Sequence, residues 1–124
     1  MAASARRQLT ELSELAGIHG SMLATVDGFV VAHNLPDHHP EATAAVIAST
    51  CALAERVAEL VRAGGMEEAT IRGSDGFIVL YAAGPDHVLC VLTTRTVNLG
   101  FVHFRAREVA VRLAALCTGL PPRD

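Results

Sequence analysis

Apolar and polar residues recur along the chain with two different periods, which predict a mixture of helices and strands. Apolar residues three or four positions apart mark three segments as helices with one buried face. Segments that alternate apolar with polar residues, or that are rich in β-branched residues, mark five strands. The predicted helices are Ser4–Ala16, Glu41–Ala63 and about Asn98–Cys117, and the predicted strands are Ser21–Val26, Phe29–His33, Glu68–Arg72, Phe77–Ala83 and Val88–Leu92.

Short turn sequences join neighbouring strands and therefore predict an antiparallel sheet. Asp27-Gly28 separates the first two strands and is typical of a type I′ hairpin turn, in which both central residues have positive φ. The last two strands are apolar on both faces, so both sides of the sheet must be covered. Glu68–Arg72 instead alternates polar and apolar residues, as an edge strand does. The predicted fold is an α/β (α+β) sandwich in the order α-β-β-α-β-β-β-α, with a five-stranded antiparallel sheet and helices on both faces.

The length of 124 residues and the hydrophobic fraction of 51% fit one folded domain with its own core. No segment of the chain has the composition of a linker between domains. We expect a single domain over residues 1–124, with a core from about residue 9 to residue 117. Both termini are expected to be loose.

The long helix Glu41–Ala63 has two unlike sides. Its large apolar residues share one broad arc, which we expect to lie on the sheet. The opposite arc carries small residues in its first half and charged residues in its second half. The small residues are either good helix formers that need no partner or a surface that another helix can approach closely. The first arc comprises Val46, Ile47, Leu53, Ala54, Val57, Leu60 and Val61.

The small side of this helix and the edge strand together suggest self-association. An unpaired edge must be covered or paired, and a two-fold pairing of helix and strand would cover both features at once. The predicted dimer interface comprises Ala44, Ala45, Ala48, Cys51, Ala52, Glu68, Thr70 and Arg72. The predicted contact with another partner comprises Glu55, Arg56, Glu59 and Arg62.

All basic residues are arginine, and the absence of lysine excludes two catalytic chemistries. A phosphate-binding P-loop in its usual form and a Schiff base both need a lysine. The net charge of -3 argues against binding of nucleic acid, which requires a basic patch. No catalytic or cofactor-binding residue is predicted, and we expect neither a cofactor nor an enzyme activity.

The histidines and cysteines do not form a recognisable metal site. His38 and His39 are adjacent in a loop and point in different directions, and His39 is interpreted as a cap of the long helix. The three cysteines are widely spaced within apolar segments and are predicted to be free thiols in a reducing compartment. The first 15 residues do not have the pattern expected of a signal peptide, and no apolar stretch has membrane-spanning length, so we expect a cytoplasmic location.

Several short motifs resemble the roadblock/dynein light chain family, and the resemblance covers the chain from about residue 9 to residue 117. Gly17–Gly20 followed by Leu23–Gly28 is similar to the step that leads into the first strand and hairpin of that family. Ala54-Glu55-Arg56, Ile71–Leu80 and Asn98-Leu-Gly100 resemble its bacterial branch. Each motif alone has low specificity, but their order and spacing together are specific.

The resemblance implies a roadblock/profilin-like fold and homodimers that join two sheets edge to edge beside paired long helices. It also implies binding of Ras-like small GTPases, in some actinobacterial systems together with a sensor kinase. Arg56 and Arg62 are then candidate partner contacts and not arginine fingers.

Three functions remain open at this point. The chain is a non-catalytic homodimeric regulator or scaffold for a small GTPase, a GTPase-activating protein that reshapes its partner, or a small-molecule sensor. A sensor would need a pocket with convergent polar groups, which the apolar strands scarcely supply.

Overall fold

A computed structural model describes residues 2–36 and 39–118 of the chain. The helices are α1 (Ala2–Ser13), α2 (Pro40–Leu60) and α3 (Leu99–Thr118). The strands are β1 (Ile18–Thr25), β2 (Val30–His33), β3 (Glu68–Arg72), β4 (Phe77–Ala82) and β5 (His87–Thr93). The predicted order of helices and strands is confirmed.

The five strands form one sheet in the order β2-β1-β5-β4-β3, and all neighbouring strands are antiparallel. The central contact joins β1 to β5, so the beginning and the end of the chain meet in the middle of the sheet. This arrangement leaves β2 and β3 as the two edge strands, which confirms the prediction for Glu68–Arg72.

Each face of the sheet is covered by helix. α1 and α3 pack on one face, against a core cluster that contains Leu23, Tyr81 and Leu89. α2 packs on the other face, against a second cluster that contains Met22 and Cys90. The prediction that β4 and β5 are covered on both sides is therefore confirmed. Among the described residues, no helix combines the length and the apolar composition that crossing a membrane requires.

The hairpin between β1 and β2 differs from the predicted type I′ turn. The Gly28 N–H donates to the Thr25 carbonyl at 3.0 Å, and the Thr25 N–H donates to the Phe29 carbonyl at 2.8 Å. Gly28 has a φ of 97°, whereas Asp27 is not in the left-handed region. A single left-handed glycine closes a longer loop here, which is the usual alternative to the two-residue turn.

Several boundaries also differ from the sequence prediction, most of all at the start of β1, the end of α2 and both ends of α1, which ends at Ser13 and not at Ala16. β1 begins at Ile18 and not at Ser21, because Ile18 already pairs with Thr93. α2 ends at Leu60 and not at Ala63, because Arg62 adopts a left-handed φ of 58°. α1 begins at Ala2, and the fully buried Ala5 extends the core beyond its predicted start. The predicted loose C-terminus falls mostly on residues 119–124, which lie outside the described residues.

Candidate interaction surface

The orientation of α2 is the reverse of the predicted one. The small residues lie against the sheet, where Ala44 is completely buried and Ala48 is 9% exposed. The large residues point away from it, with between 60% and 74% of each side chain exposed. We name these residues the α2 stripe: Val46, Leu53, Val57, Leu60 and Val61. The expectation that this arc lies on the sheet is wrong, with the exception of Ile47, which is buried, and Ala54, which is half-buried.

The reason for the reversal is the close approach of α2 to the β1–β2 hairpin. A Cβ atom placed on Gly28 would lie 3.3 Å from the Cα atom of Ala45 and 3.7 Å from the Cβ atom of Ala48. A larger side chain at Ala48 would have to displace the hairpin. The small residues thus allow close packing within the protomer, and not the approach of a second helix.

This packing removes three residues from the predicted dimer interface. Ala44 is completely buried, and Ala48 and Cys51 are less than 10% exposed, so these three residues are mainly part of the packing of α2 on the sheet and not of an exposed interface. Ala45, Ala52, Thr70 and Arg72 are exposed, and Glu68 is half-buried.

Four residues of the α2 stripe, together with Thr50, have the spacing of residues that pair two helices, and we call these five residues the helix seam. Val46, Thr50, Leu53, Val57 and Leu60 follow one another at intervals of four, three, four and three residues. A mean interval of 3.5 residues is typical of a helix that packs along another helix. The one polar member, Thr50, satisfies its hydroxyl within α2 by donating to the Val46 carbonyl at 2.9 Å. Sequence analysis missed this seam, although its heptad spacing was the available signal.

The free edge of β3 lies beside the C-terminal half of the stripe. An open groove lined by Ala54, Val57, Val61, Met66 and Glu68 connects α2 with the start of β3. Ile71, on the same face of the sheet as α2, is 43% exposed. In the described part of the chain, no strand pairs with the outer side of β3. The stripe and the edge therefore form one continuous surface.

The direction of the backbone groups on β3 follows from its pairing with β4. The Ala82 N–H donates to the Glu67 carbonyl at 2.9 Å, and the Gly73 N–H donates to the Gly76 carbonyl at 2.8 Å. Because residues of an antiparallel strand face alternate neighbours, positions 67, 69, 71 and 73 direct their backbone groups to β4. Glu68, Thr70 and Arg72 direct theirs to the free side.

Charged side chains attach β3 to α3 on the opposite face of the sheet. The Arg107 guanidinium donates to both carboxylate oxygens of Glu68, through Nη2 at 2.8 Å and through Nε. This ion pair holds the pKa of Glu68 below its ordinary value. Next to it, the Tyr81 hydroxyl and His103 Nδ1 are hydrogen-bonded at 2.8 Å. Burial raises the pKa of Tyr81, so its hydroxyl stays protonated.

The four predicted contacts with another partner do not behave alike. Glu55 is half-buried, and its carboxylate accepts a hydrogen bond from the Met66 N–H at 3.0 Å. It thus holds the loop after α2 in place. Arg56, Glu59 and Arg62 are exposed on α2 or just beyond its end.

The histidine and cysteine predictions have separate outcomes. His38 lies outside the described residues, and His39 occupies the N-cap position of α2 as predicted, although its side chain makes no capping hydrogen bond. Residues 2–36 and 39–118 contain no group of three or more His, Cys, Asp or Glu side chains close enough to hold a metal ion. The three cysteines are free, as predicted, and burial raises the pKa of Cys90 to about 12.

A cleft of about 510 Å³ between α2 and the β4–β5 turn is large enough for a small ligand. Cys51, Glu55, Met66 and His87 are among its lining residues. The Glu55 carboxylate is already bonded to the Met66 N–H, so the cleft presents few free polar groups. This composition gives the sensor function little support.

Comparison with known proteins identifies the family. The sequence matches the Roadblock/LC7 domain over residues 5–93. The chain belongs to this family. The uncharacterized protein MJ1340 of Methanocaldococcus jannaschii is 34% identical over 111 residues, which cover 89% of this chain and 96% of that protein.

Solved structures of this Roadblock/LC7 fold superimpose closely on the chain. Myxococcus xanthus MglB gives a TM-score of 0.89 at 16% identity, over 98% of this chain and 93% of that one. A structure described as MglB with tetrameric arrangement gives a TM-score of 0.86 at 24% identity, over 93% of this chain and 88% of that one. At these identities the likeness establishes the fold alone.

Proposed function

We propose that this Roadblock/LC7 domain is a cytoplasmic, non-catalytic homodimer that regulates or scaffolds a Ras-like small GTPase. The observation that carries the proposal is the continuous surface formed by the α2 stripe and the free edge of β3. Family membership supports the GTPase as partner, since roadblock proteins of the bacterial branch bind such enzymes.

The α2 stripe is costly to leave in water. Five large aliphatic side chains that are each at least 60% exposed on one helix face form a contiguous apolar patch. Patches of this kind on small proteins generally mark an interaction site. Burial of apolar surface contributes about 25 cal/mol per Å², so covering the stripe is a substantial driving force.

A second copy of the chain fits this surface better than an unrelated protein does. A two-fold axis would bring the same stripe and the same strand edge from both copies together. Stripe would then cover stripe along the helix seam, and each β3 would complete the hydrogen bonds of the other. The tetrameric arrangement described for a structural neighbour agrees with an assembly of several copies.

The GTPase would contact the charged residues that remain exposed beside this seam. Arg56 and Glu59 on α2, and Arg62 just beyond its end, supply both signs of charge beside the apolar stripe. Mixed charges of this kind give orientation and specificity to a protein–protein contact. In systems with a sensor kinase, the dimer would hold the GTPase near that kinase.

The experiment combines the mass of the assembly with GTPase binding. In sedimentation equilibrium, the 13.0 kDa chain should have twice its sequence mass. Leu53→Glu, within the α2 stripe, should give a monomer with unchanged helix content. The matched control Val111→Glu, an aliphatic residue that is 71% exposed on α3 at the other face of the sheet, should remain a dimer. A monomeric wild type, or a Leu53→Glu variant that remains dimeric, would contradict the proposed interface.

The GTPase arm uses the small GTPase encoded nearest to the gene of this chain, loaded with GDP or with a non-hydrolysable GTP analogue. Co-elution in one nucleotide state is expected, and absence of binding in both states would overturn the GTPase assignment. Hydrolysis that rises on mixing, and that survives Arg56→Ala and Arg62→Ala, would identify the chain as an activator that reshapes its partner.

A further inference from the structure

We propose that two copies of the chain pair along β3 in one defined register, centred on Thr70, and that Glu68 and Arg72 select this register. The inference rests on the self-association proposed above. It specifies the partner as a second copy of this chain and names the residues that determine how that copy docks.

The sequence of β3 is complementary to itself in the antiparallel direction. Its five residues, Glu-Ala-Thr-Ile-Arg, place an acid at one end and a base at the other, at equal distance from Thr70. A two-fold axis at Thr70 would set each Glu68 opposite the Arg72 of the other copy. It would also set each Ala69 opposite an Ile71.

The helices restrict the register to pairings that are centred on a residue. Directly opposed residues of antiparallel strands project to the same face of a sheet. In β3 and β4, Ala69 and Ile78 pack on the side of α2, whereas Phe77 and Tyr81 pack on the side of α3. A centre between two residues would place the two α2 helices on opposite faces and would separate the two stripes. Among the centres on a residue, Ala69, Thr70 and Ile71 allow the most residues of the two β3 strands to pair.

Backbone hydrogen bonds favour Thr70 among these three. Glu68, Thr70 and Arg72 are the residues of β3 whose N–H and C=O groups face the free side. With the centre at Thr70, each of these three residues lies opposite one of the same three in the partner strand. Each such pair exchanges two N–H···O bonds. With the centre at Ala69 or Ile71, one of them lies beyond the end of the partner strand.

The charges favour the same register. In the register centred on Thr70, Glu68 and Arg72 of opposite charge face each other at both ends of the paired β3 strands. Such cross-strand pairs stabilise a sheet. Glu68 is already held in position by Arg107, and the Arg72 guanidinium lies 6.0 Å from the centre of the Phe77 ring. In the Ala69 register, Glu68 would face Thr70 and Glu67 would face Ile71. In the Ile71 register, Arg72 would face Thr70.

Single cysteines test the register directly, in a Cys117→Ser background that leaves only the two buried native thiols. In the Thr70 register, two Thr70→Cys residues are directly opposed, with Cα atoms about 5.5 Å apart, which a disulfide can span. Two Ala69→Cys residues, or two Ile71→Cys residues, are displaced by two positions and lie roughly 8 Å apart, too far for a disulfide. The background protein without an added cysteine is the control for native thiols.

Under mild oxidation, Thr70→Cys should give a covalent dimer on a non-reducing gel. Ala69→Cys and Ile71→Cys should each stay uncrosslinked alone, and a mixture of the two with different tags should crosslink to each other. Self-crosslinking of Ala69→Cys or Ile71→Cys, or a sedimenting dimer that Thr70→Cys does not crosslink, would overturn the register while the dimer stands. A wild type that sediments as a monomer would overturn the proposed self-association as well.

Charge reversal tests whether Glu68 and Arg72 select the register. Arg72→Glu would place two glutamates opposite each other at both ends of the paired β3 strands. The dissociation constant of the dimer should rise at least tenfold at low salt. Arg6→Glu on the exposed side of α1, far from β3, is the control with the same change of charge and should leave the dissociation constant unchanged. Equal dissociation constants for the two variants would show that Glu68 and Arg72 do not select the register.

Discussion

α2 and α3 are helices of similar length on opposite faces of one sheet, and they bury opposite kinds of residue. α3 packs its large apolar residues inward, with Val102, Val109 and Leu113 all nearly or fully buried. α2 packs small residues inward and leaves the α2 stripe outside. α3 also exposes Phe104 and Val111, but charged residues are interspersed between them.

The difference shows that a hydrophobic arc on a helix does not by itself identify the surface that the helix packs on its own sheet. For α3 this surface is the protomer's own sheet. For α2 the hairpin at Gly28 approaches the sheet side closely at Ala45 and Ala48, so small residues are required at this point. Its large residues are free for another molecule. The same amphipathic pattern thus serves folding in α3, whereas in α2 it supplies the exposed surface on which the proposed dimer rests.

The largest predicted effect separates a core leucine of α3 from a stripe leucine of α2. Leu113→Ala should lower the free energy of unfolding by about 3 kcal/mol, because it creates a cavity among fully buried side chains. Leu60→Ala should change it by less than about 0.5 kcal/mol, because this side chain is 74% exposed in the protomer. Urea denaturation followed by circular dichroism, in the monomeric Leu53→Glu background, measures both.

The Leu53→Glu background is needed because dimerisation would add its own free energy to any measurement on the stripe. Equal destabilisation by Leu113→Ala and Leu60→Ala in that background would show that the stripe supports the fold of the protomer. The contrast between α2 and α3 would then disappear.

A smaller effect is expected for an added side chain on the inner face of α2. Ala48→Leu should cost about 1–3 kcal/mol of unfolding free energy, because the site is closed by Gly28. Ala52→Leu, one helical turn later and exposed, introduces the same helix propensity and should be nearly neutral. Thermal unfolding of the two variants makes the comparison. A tolerated Ala48→Leu beside a destabilising Ala52→Leu would restore the orientation that the sequence suggested.

Most of the fold was predictable because local patterns decide it. The element order, the antiparallel sheet and the edge position of β3 follow from periodicity and turn residues, and the structure confirms each of them. The family resemblance inferred from the short motifs is confirmed as well.

The orientation of α2 was not predictable in the same way, because periodicity separates two faces without saying which partner covers each face. The left-handed φ of Arg62 and the single left-handed residue of the first hairpin also depend on tertiary contacts that the local sequence does not encode. The heptad interval within the α2 stripe was the signal that could have indicated an outer, helix-pairing face.

The smallest predicted effect concerns the ion pair that joins α3 to the edge strand, a link that α2 lacks. The hydrogen bond from Arg107, and secondarily the nearby His103, keep the pKa of Glu68 in the folded state below its value of about 4.5 in an unfolded chain. The unfolded state therefore binds the proton more readily, so this contribution is fully present above about pH 4.5 and is lost as the pH falls through the folded pKa. Since both partners are partly exposed, water screens the pair and its contribution is modest.

Glu68→Gln should remove this part of the acid destabilisation in the Leu53→Glu background. The free energy of unfolding of this variant should fall less steeply than that of its parent between pH 5 and pH 3, by a margin smaller than the effect of Ala48→Leu. Glu59→Gln, an exposed carboxylate on α2, is the matched control and should follow the parent curve. Parallel curves for Glu68→Gln and its parent would show that the contact between Arg107 and Glu68 does not stabilise the protomer. β3 would then be held to the rest of the fold by its pairing with β4 and by its apolar residues alone.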